Sequence, residues 1–257
     1  LMKAHVLHGI QDLRYEEVEE PKLKHEEALV EVMAAGICGS DIPRIFINGT
    51  YHFPTIPGHE FAGRVCKVFD GGDEEWLNKR VGVFPLVPCM KCTPCRQQQY
   101  EMCRHYDYLG SRSNGGFAEY VAVPIRNLIE LPEEISWEAA AMLEPASVGI
   151  HALQRLNLKD ISTAAIFGPG TIGMLIAQWL RTIGVPKIYL IGTNIGQKNL
   201  AEQLGFSEFI NCKKYDAVQE ILNITDGEGA DIVIEGTGHN DVLEACLEVV
   251  KRGGDVL

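Results

Sequence analysis

Hydrophobic and polar positions follow two different patterns in the two parts of the chain. In the first 150 residues, short runs of alternating apolar and polar residues are separated by Pro and Gly, as at 28–32, 63–68, 81–84 and 118–123. Alternation with a period of two is typical of half-buried strands. The pattern therefore predicts a small, irregular, mostly antiparallel β domain over residues 1–150.

Beyond residue 150 the pattern becomes one of strands that alternate with helices. Short apolar runs at 164–167, 188–191, 209–211, 231–235 and 255–257 are separated by stretches with helical spacing. Repeated strand–helix–strand units are typical of a parallel sheet covered by helices on both faces. We therefore expect an α/β protein with a second, doubly wound domain over 151–257. One helix near 148–156 is predicted to join the two domains.

The end of the sequence is unusual for a parallel sheet. Gly253 and Gly254 form a predicted turn into a fifth strand, and the sequence stops at Leu257. Because a buried parallel strand does not normally end a protein, we expect the sequence to be a fragment of a longer chain whose C-terminus is missing.

One uncharged segment has the length of a membrane span. No charged residue lies between Asp160 and Arg181, and about 20 apolar residues suffice to cross a bilayer. Gly168, Pro169 and Gly170 interrupt this segment, however, and such residues favour a turn between a strand and a helix. We therefore predict a strand and a helix here, and no membrane span.

Composition and charge exclude several classes of protein. The chain has 257 residues, of which 46% are hydrophobic and 23% charged, and these fractions are typical of globular domains. Its net charge of −12 disfavours binding to nucleic acid or to an anionic membrane surface. The first residues turn acidic by Glu16 and contain no apolar core typical of an export signal, so a reducing, cytoplasmic location is expected.

Four of the eight cysteines are crowded into one segment. They are Cys89, Cys92, Cys95 and Cys103. Two-residue gaps allow neighbouring thiolates to meet at one Zn²⁺, and four thiolates complete a tetrahedral shell. We therefore predict a structural zinc that fixes a loop; free thiols, a disulfide or an iron–sulfur cluster are the alternatives.

Three residues distant in sequence form a second candidate metal site. Cys38, His59 and Glu144 together offer one thiolate, one imidazole and one carboxylate. Taken singly, each has an ordinary structural explanation, as a core cysteine, a turn histidine and a helix-capping acid. As a set, they match a catalytic zinc site that keeps its fourth position open.

Neighbours of these residues are candidates for supporting roles. Asp41 is expected to accept a hydrogen bond from the His59 ring. Ser40 is expected to lie beside a zinc-bound oxygen and to relay its proton, although a simple turn hydrogen bond would also explain it. Glu60 follows the histidine directly; it could tune the site, exchange as a ligand or stay outside the coordination shell.

A glycine-rich loop lies between a predicted strand and a predicted helix. Its residues are Gly168, Pro169, Gly170, Thr171, Ile172 and Gly173. In this position G-x-G-x-x-G is a dinucleotide-binding fingerprint, because the glycines allow close approach of the pyrophosphate to the helix N-terminus. An ordinary strand–helix turn is the alternative.

The position that commonly carries a ribose-binding acid holds no acid here. It falls at Gly192, followed by Thr193 and Asn194, with Lys198 within reach. These residues leave room for a 2′-phosphate, yet no arginine accompanies them. NAD and NADP therefore both remain candidate cofactors.

These motifs together resemble the zinc-containing medium-chain dehydrogenases, a family of alcohol, polyol and threonine dehydrogenases. The resemblance covers essentially the whole chain and rests, in order, on GICGSD, PGHEFAG, the four-cysteine segment, GGFAEY, EPASVG, GPGTIG and GADIVIEGTG. It implies a GroES-like catalytic domain, a Rossmann domain, one catalytic and one structural zinc, and, for the full-length protein, a homo-oligomer of two or four copies. Glu144 in EPASVG, in place of a third sulfur ligand, resembles the polyol branch.

The resemblance also implies the reaction. It is hydride transfer between a secondary alcohol and a nicotinamide cofactor, and the segments around 38–54 and 103–120 are most similar to dehydrogenases of sugar-alcohol phosphates. A phosphate needs a cation near the zinc, and Arg44 and Arg112 are the candidates; pairing with acids such as Asp41 or Glu119 is the alternative for both. Alternative functions are another zinc alcohol, sorbitol or threonine dehydrogenase, or a non-catalytic zinc-stabilised binding protein.

Overall fold

The computed structural model describes residues 1–257, which form two compact units, Leu1–Glu144 and Pro145–Leu257. The division falls inside the helix Leu143–Leu153, which also contains residue 150. A mixed α/β fold with a β-rich first unit and a parallel sheet in the second confirms the predicted fold class.

Nine strands build the first unit. They are β1 (Met2–Gly9), β2 (Asp12–Val18), β3 (Glu27–Gly36), β4 (Glu60–Val68), β5 (Arg80–Val83), β6 (Leu86–Val87), β7 (Asp107–Tyr108), β8 (Tyr120–Pro124) and β9 (Leu128–Glu130). Five of them form an antiparallel sheet in the order β8-β3-β4-β5-β9, while β1 pairs with β2 and β6 with β7. The alternation seen in the sequence places Val30, Val65, Val81 and Val121 in one buried core.

Short helices and turns lie between these strands and after β9. They are α1 (Asp41–Pro43), which continues as a π-helical turn over Arg44–Asn48, α2 (Thr93–Arg96) and α3 (Trp137–Ala141), together with 3₁₀ turns at Glu74–Trp76, Tyr100–Met102 and Ile125–Asn127. The helix α4 (Leu143–Leu153) follows α3 directly.

The second unit is a parallel sheet with helices on both faces. Its strands are β10 (Thr163–Phe167), β11 (Lys187–Gly192), β12 (Phe209–Asn211), β13 (Ala230–Glu235) and β14 (Val250–Val256), in the order β12-β11-β10-β13-β14. Its helices are α5 (Thr171–Thr182), α6 (Ile195–Gln203), α7 (Ala217–Ile224) and α8 (Asn240–Val249). Strands β11 and β12 lie on one side of β10, whereas β13 and β14 lie on the other side, so the order of strand addition switches between β10 and β13. Ligands bind at such a switch point in open α/β sheets.

Successive residues of the central strand face opposite cores. Ala164 and Ile166 pack with Met174 and Leu180 of α5 on one face, whereas Phe167 packs against the α7–α8 side. Burial on both faces explains why these strands are continuous apolar runs rather than alternating ones.

The uncharged segment between Asp160 and Arg181 is divided as predicted. β10 ends at Phe167 and α5 begins at Thr171, with Gly168 and Gly170 between them. No helix in the structure has both the length and the apolar character needed to cross a bilayer.

Candidate active site

Four cysteine side chains converge in the loop between β6 and β7. All four sulfur atoms lie within 4.8 Å of one another. Sγ of Cys92 is 3.4 Å from that of Cys95 and 3.9 Å from that of Cys103, and Sγ of Cys89 is 4.0 Å from that of Cys95. Tetrahedral zinc with Zn–S bonds of ~2.3 Å needs sulfur atoms about 3.8 Å apart. The four thiols therefore fit one zinc ion, and none of the chain's cysteines forms a disulfide.

Backbone groups of the loop favour the thiolate forms that bind metal. The N–H groups of Arg104 and Cys95 lower the pKa of the Cys92 thiol to about 6. N–H groups of Lys91 and Cys92 likewise lower the pKa of Cys89. Burial has the opposite effect on Cys95 and raises its pKa to about 12. The loop thus stabilises the thiolate forms of Cys89 and Cys92 beside the buried Cys95 thiol. A bound cation would favour ionisation of Cys95 as well.

A second donor cluster forms where β3 ends and β4 begins. Gly36 and Glu60 are paired residues of these antiparallel strands, so Cys38, just beyond β3, comes close to His59, just before β4. Donor atoms of Cys38, His59 and Glu60 all lie within 4.8 Å of one another. Sulfur, imidazole nitrogen and carboxylate oxygen are the ligands that Zn²⁺ takes in catalytic sites, so these residues fit the ion.

Glu144 lies beside this cluster. Tyr108 Oη donates a hydrogen bond of 3.3 Å to Oε1 of Glu144, and the Glu144 charge acts on His59. Burial raises the pKa of the Glu144 carboxyl, partly offset by His59. The structure therefore brings two carboxylates to the site, with Glu60 inside the donor cluster. The ligand set Cys38, His59 and Glu144 stays a prediction.

Asp41 connects the cluster to its surroundings. Its side chain has no exposed surface, and Oδ2 accepts a 3.0 Å hydrogen bond from the N–H of Cys38. Arg44 Nη1 donates to Oδ1 at 2.7 Å. The same Oδ1 lies 3.6 Å from Nδ1 of His59, a buried nitrogen without a hydrogen-bond partner. The histidine ring thus faces Asp41, but at 3.6 Å the expected hydrogen bond is not formed.

Charge interactions within the cluster favour an ionised thiol. The His59 imidazole lowers the pKa of the Cys38 thiol. Burial alone would lower the pKa of His59, but Cys38 and Asp41 outweigh burial and the net shift is upward. Ser40 is exposed, and its N–H points at the Cys38 sulfur, 3.5 Å away.

Close packing of glycines holds the segment before His59. Gly58 has a φ of +96°, and a Cβ on Gly110 or Gly115 would lie 2.3 or 2.0 Å from its carbonyl oxygen. The N–H of Gly116 donates to that oxygen at 2.7 Å. The paired glycines of GGFAEY thus brace the metal-binding segment, a role that sequence reasoning missed.

A cavity of about 210 Å³ opens beside His59. Its walls are formed by Ser40, Arg44, Tyr51, His59, Tyr106, Tyr108, Ser111 and Arg112. Both arginines predicted from the sequence line it, together with three tyrosines that sequence reasoning did not identify. The tyrosines carry no spacing signal; only the fold brings them together.

In the glycine loop of the second unit, Gly168 and Gly173 lack space for a side chain, whereas Gly170 faces open space. Gly168 has a φ of +84°, and a Cβ there would lie 2.7 Å from Thr237; a Cβ on Gly173 would lie 2.4 Å from the Gly168 carbonyl oxygen. The fold therefore requires both. A Cβ on Gly170 would meet nothing within 4 Å, although this residue directly precedes α5.

Open space at Gly170 fits a dinucleotide. It lies in front of the exposed first residues of α5, Thr171 and Ile172, where unpaired N–H groups and the helix dipole favour phosphate. A side chain at Gly170 would fill the space that a pyrophosphate needs.

Polar side chains after β11 form hydrogen bonds that cap the N-terminus of α6. Asn194 Oδ1 accepts from the N–H of Gln197 at 2.9 Å, and Gln197 Oε1 accepts from the N–H of Thr193 at 3.0 Å. Lys198 lies 3.6 Å from Glu202. A Cβ on Gly192 would lie 2.7 Å from Gln197 Oε1 and from Phe209. A ribose-binding acid at Gly192 would thus require its neighbours to move.

Comparison with known proteins identifies the family of the chain. The family model "Alcohol dehydrogenase GroES-like domain" matches residues 24–133, and "Zinc-binding dehydrogenase" matches 171–257. Sorbitol dehydrogenase from Bacillus subtilis (strain 168) is 34% identical over 98% of this chain and 73% of its own length. Galactitol 1-phosphate 5-dehydrogenase from Escherichia coli (strain K12) is 34% identical over 89% of this chain and 66% of its own length.

A solved structure of a dehydrogenase has the same fold as this chain. The crystal structure of a zinc-binding dehydrogenase from Sinorhizobium meliloti 1021, bound to NADP, superposes with a TM-score of 0.92 at 30% identity. The match covers 99% of this chain and 75% of that one. This chain therefore spans about two thirds to three quarters of the length of these relatives.

The chain belongs to the zinc-binding dehydrogenases of the alcohol dehydrogenase family. The enzymes of this family are zinc-dependent dehydrogenases, and the relatives named above include two that act on polyols or their phosphates.

Proposed function

We propose that this protein transfers a hydride between a secondary alcohol of a polyol or sugar-alcohol phosphate and NAD or NADP. The observation that carries this proposal is the convergence of donor atoms of Cys38, His59 and Glu60 within 4.8 Å of one another. His59 also lines a cavity together with Ser40. Relatives named as dehydrogenases of sorbitol and of galactitol 1-phosphate support the substrate class.

Two zinc ions fit the two donor clusters. The four-cysteine cluster would hold one ion that fixes the loop between β6 and β7. Cys38 and His59 would hold the other, with Glu60 or Glu144 as the carboxylate. This second zinc, when bound, supplies Lewis-acid chemistry that favours loss of the proton of an alcohol.

Protein groups around the cavity orient the reaction and move the proton. The hydroxyl of Ser40 is exposed at the cavity wall, where it can accept a proton from the substrate hydroxyl and pass it to water. Tyr108 orients the Glu144 carboxylate through its hydrogen bond. Hydroxyl and guanidinium groups form much of the cavity wall, and such a lining suits a small polar substrate.

The nicotinamide cofactor would bind to the second unit at the Gly168–Gly173 loop. The Sinorhizobium meliloti relative is bound to NADP, and Gly192 offers no acid to repel a 2′-phosphate. We therefore propose that the protein discriminates weakly between NAD and NADP.

A substrate screen tests the proposal. Zinc-loaded protein is incubated with sorbitol, galactitol and galactitol 1-phosphate, each with NAD and with NADP, while absorbance of the reduced nicotinamide is followed. We expect turnover of at least one polyol and two zinc ions per chain by elemental analysis. A metal-loaded protein without turnover on any of these alcohols would refute the function.

We further propose that the full-length protein acts in the cytoplasm as a homo-oligomer of two or four copies. Eight unpaired cysteines suit a reducing compartment. Light scattering coupled to gel filtration measures the copy number, and a monomer would contradict the assembly.

A further inference from the structure

The two arginines in the cavity have different electrostatic surroundings. The Arg44 side chain is 18% exposed and donates to the Asp41 carboxylate at 2.7 Å, and Asp41 has no exposed surface. A buried carboxylate at this distance neutralises most of the arginine's charge. Arg44 therefore has little charge left for a substrate anion.

Arg112 has no carboxylate partner. Its guanidinium carbon lies 3.9 Å from the ring centroid of Tyr51 and 4.5 Å from that of Tyr106. Nη2 lies 3.4 Å from the Tyr106 hydroxyl, and Nε is buried without a hydrogen-bond partner. The cation thus lies against aromatic rings, and no carboxylate neutralises its charge.

The backbone at Arg112 is held in place from both sides. His52 Nε2 lies 2.7 Å from the Arg112 carbonyl oxygen, and Thr50 Oγ1 donates to the Ser111 carbonyl oxygen at 2.6 Å. These contacts tie the segment that carries Tyr51 to the segment that carries Arg112. The stack is therefore ordered before any substrate arrives, which lowers the entropy cost of binding.

We propose that Arg112, stacked on Tyr51 and Tyr106, is the specificity-determining residue that binds the phosphate of a phosphorylated polyol, and that Arg44 is a positioning residue for Asp41. This assignment rests on the proposed function. A phosphate monoester carries about −1.5 to −2 charges at neutral pH, and the net charge of the chain, −12, repels it. A local cation without a carboxylate partner is thus the group that recognises this anion, and a guanidinium matches phosphate in a bidentate manner.

Paired kinetics on two substrates test the assignment. For Arg112→Ala we expect the ratio of kcat/KM for galactitol 1-phosphate over galactitol to fall at least about tenfold, through a higher KM for the phosphate, since charged hydrogen bonds of this kind are worth at least one decade. Arg112→Lys keeps the charge but loses the planar fork, and should give an intermediate ratio. It also serves as the second variant if Arg112→Ala fails to fold.

Arg44 variants provide the contrast. Arg44→Gln removes the partner of Asp41, so kcat should fall for both substrates with the ratio retained, and Arg44→Lys should restore part of the kcat. Arg126→Ala, which changes an exposed arginine outside the cavity, should alter neither quantity. A loss specific to the phosphate in Arg44→Gln, or an unchanged ratio in both Arg112 variants, would overturn the assignment.

A binding measurement separates this assignment from the proposed function. Inorganic phosphate is titrated calorimetrically into the parent protein and into Arg112→Ala. Weaker phosphate binding in the variant supports the assignment even if the parent oxidises no alcohol, an outcome that would refute only the proposed function. Equal phosphate binding by both proteins refutes the assignment and leaves the dehydrogenase function intact.

Discussion

Arg44 Nη1 lies 2.7 Å from Oδ1 of Asp41, a carboxylate with no exposed surface. The other oxygen of Asp41 accepts from the N–H of Cys38 at 3.0 Å, and Oδ1 faces Nδ1 of His59 at 3.6 Å. One carboxylate therefore touches the segments that supply both the thiolate and the imidazole. Outer groups of this kind set ligand orientation in metal sites.

Asp41→Asn should weaken metal binding at the Cys38–His59 cluster. The amide keeps the shape of the side chain but removes the charge that faces the histidine and Arg44. Loss of such an outer partner typically costs about 10–100-fold in metal affinity. Competition with a chelator measures it, with the exposed Asp70→Asn as the control. An affinity equal to that of the parent would show that Asp41 does not support the site.

His59→Ala should abolish turnover while cofactor binding persists. The histidine belongs to the first unit and the glycine loop to the second. We expect kcat to fall at least about a hundredfold, because loss of even an outer partner of a metal ligand costs 10–100-fold. Steady-state kinetics and fluorescence titration with the reduced cofactor measure the two effects. His105→Ala, at an exposed histidine, is the control; near-parental activity in zinc-loaded His59→Ala protein would refute the site.

Cys92→Ser should remove one metal ion and loosen the loop between β6 and β7. The substitution leaves only three of the four thiols that would bind the ion. Because structural zinc contributes directly to the free energy of folding, loss of the ion should lower stability. Elemental analysis should show one zinc per chain instead of two, together with a lower melting temperature. Cys66→Ser, in the same unit but outside both clusters, should change neither value. Two zinc ions in the Cys92→Ser protein would disprove the structural site.

Gly170→Ala and Gly168→Ala should have different effects. The first should weaken cofactor binding, and the second should lower stability. A Cβ on Gly170 meets nothing, so stability should change by no more than ~0.5 kcal/mol. Affinity for NAD and NADP should still fall at least about tenfold, or ~1.4 kcal/mol, since the methyl group occupies the phosphate position. Gly168→Ala places alanine at a φ of +84°, which costs at least about 1–2 kcal/mol of stability. Thermal unfolding and cofactor titration measure both; normal cofactor affinity in Gly170→Ala would exclude pyrophosphate binding there.

Asp231→Asn should destabilise the second unit. Its Oδ2 accepts from the N–H and hydroxyl of Ser162, both at 2.9 Å, and from the N–H of Thr163 at 2.8 Å, and Oδ1 bonds to Lys251. Burial acts to raise the pKa of Asp231, but these donors outweigh it and lower the pKa from 3.8 to about 2. A shift of this size corresponds to about 2 kcal/mol.

The pH dependence follows from this shift. Because the folded-state pKa lies below the unfolded value, the stabilisation is complete above about pH 4 and is lost as the pH falls towards about 2. Urea unfolding from pH 7 to pH 2 should therefore show a smaller acid loss in Asp231→Asn than in the parent. The exposed Asp226→Asn is the control. Equal pH profiles for Asp231→Asn and the parent would show that Asp231 contributes no such stabilisation.

The sequence by itself determined the features that depend on neighbouring residues. Cys89 to Cys103 span only 15 positions, so their spacing alone restricts the four thiols to one loop. The strand before Gly168 and the helix after it follow from apolar runs and a glycine interruption, which are local signals. Doubly wound topology also followed, because continuous apolar strands alternate with helices.

Only the tertiary structure decided which distant side chains meet. Glu60 joins Cys38 because the register of β3 and β4 pairs it with Gly36, and a sequence contains no direct measure of strand register. Arg44 and Arg112 look equivalent as isolated cations in the sequence. The fold places a buried carboxylate against Arg44 and two tyrosine rings against Arg112, and the charge available to a substrate depends on those neighbours.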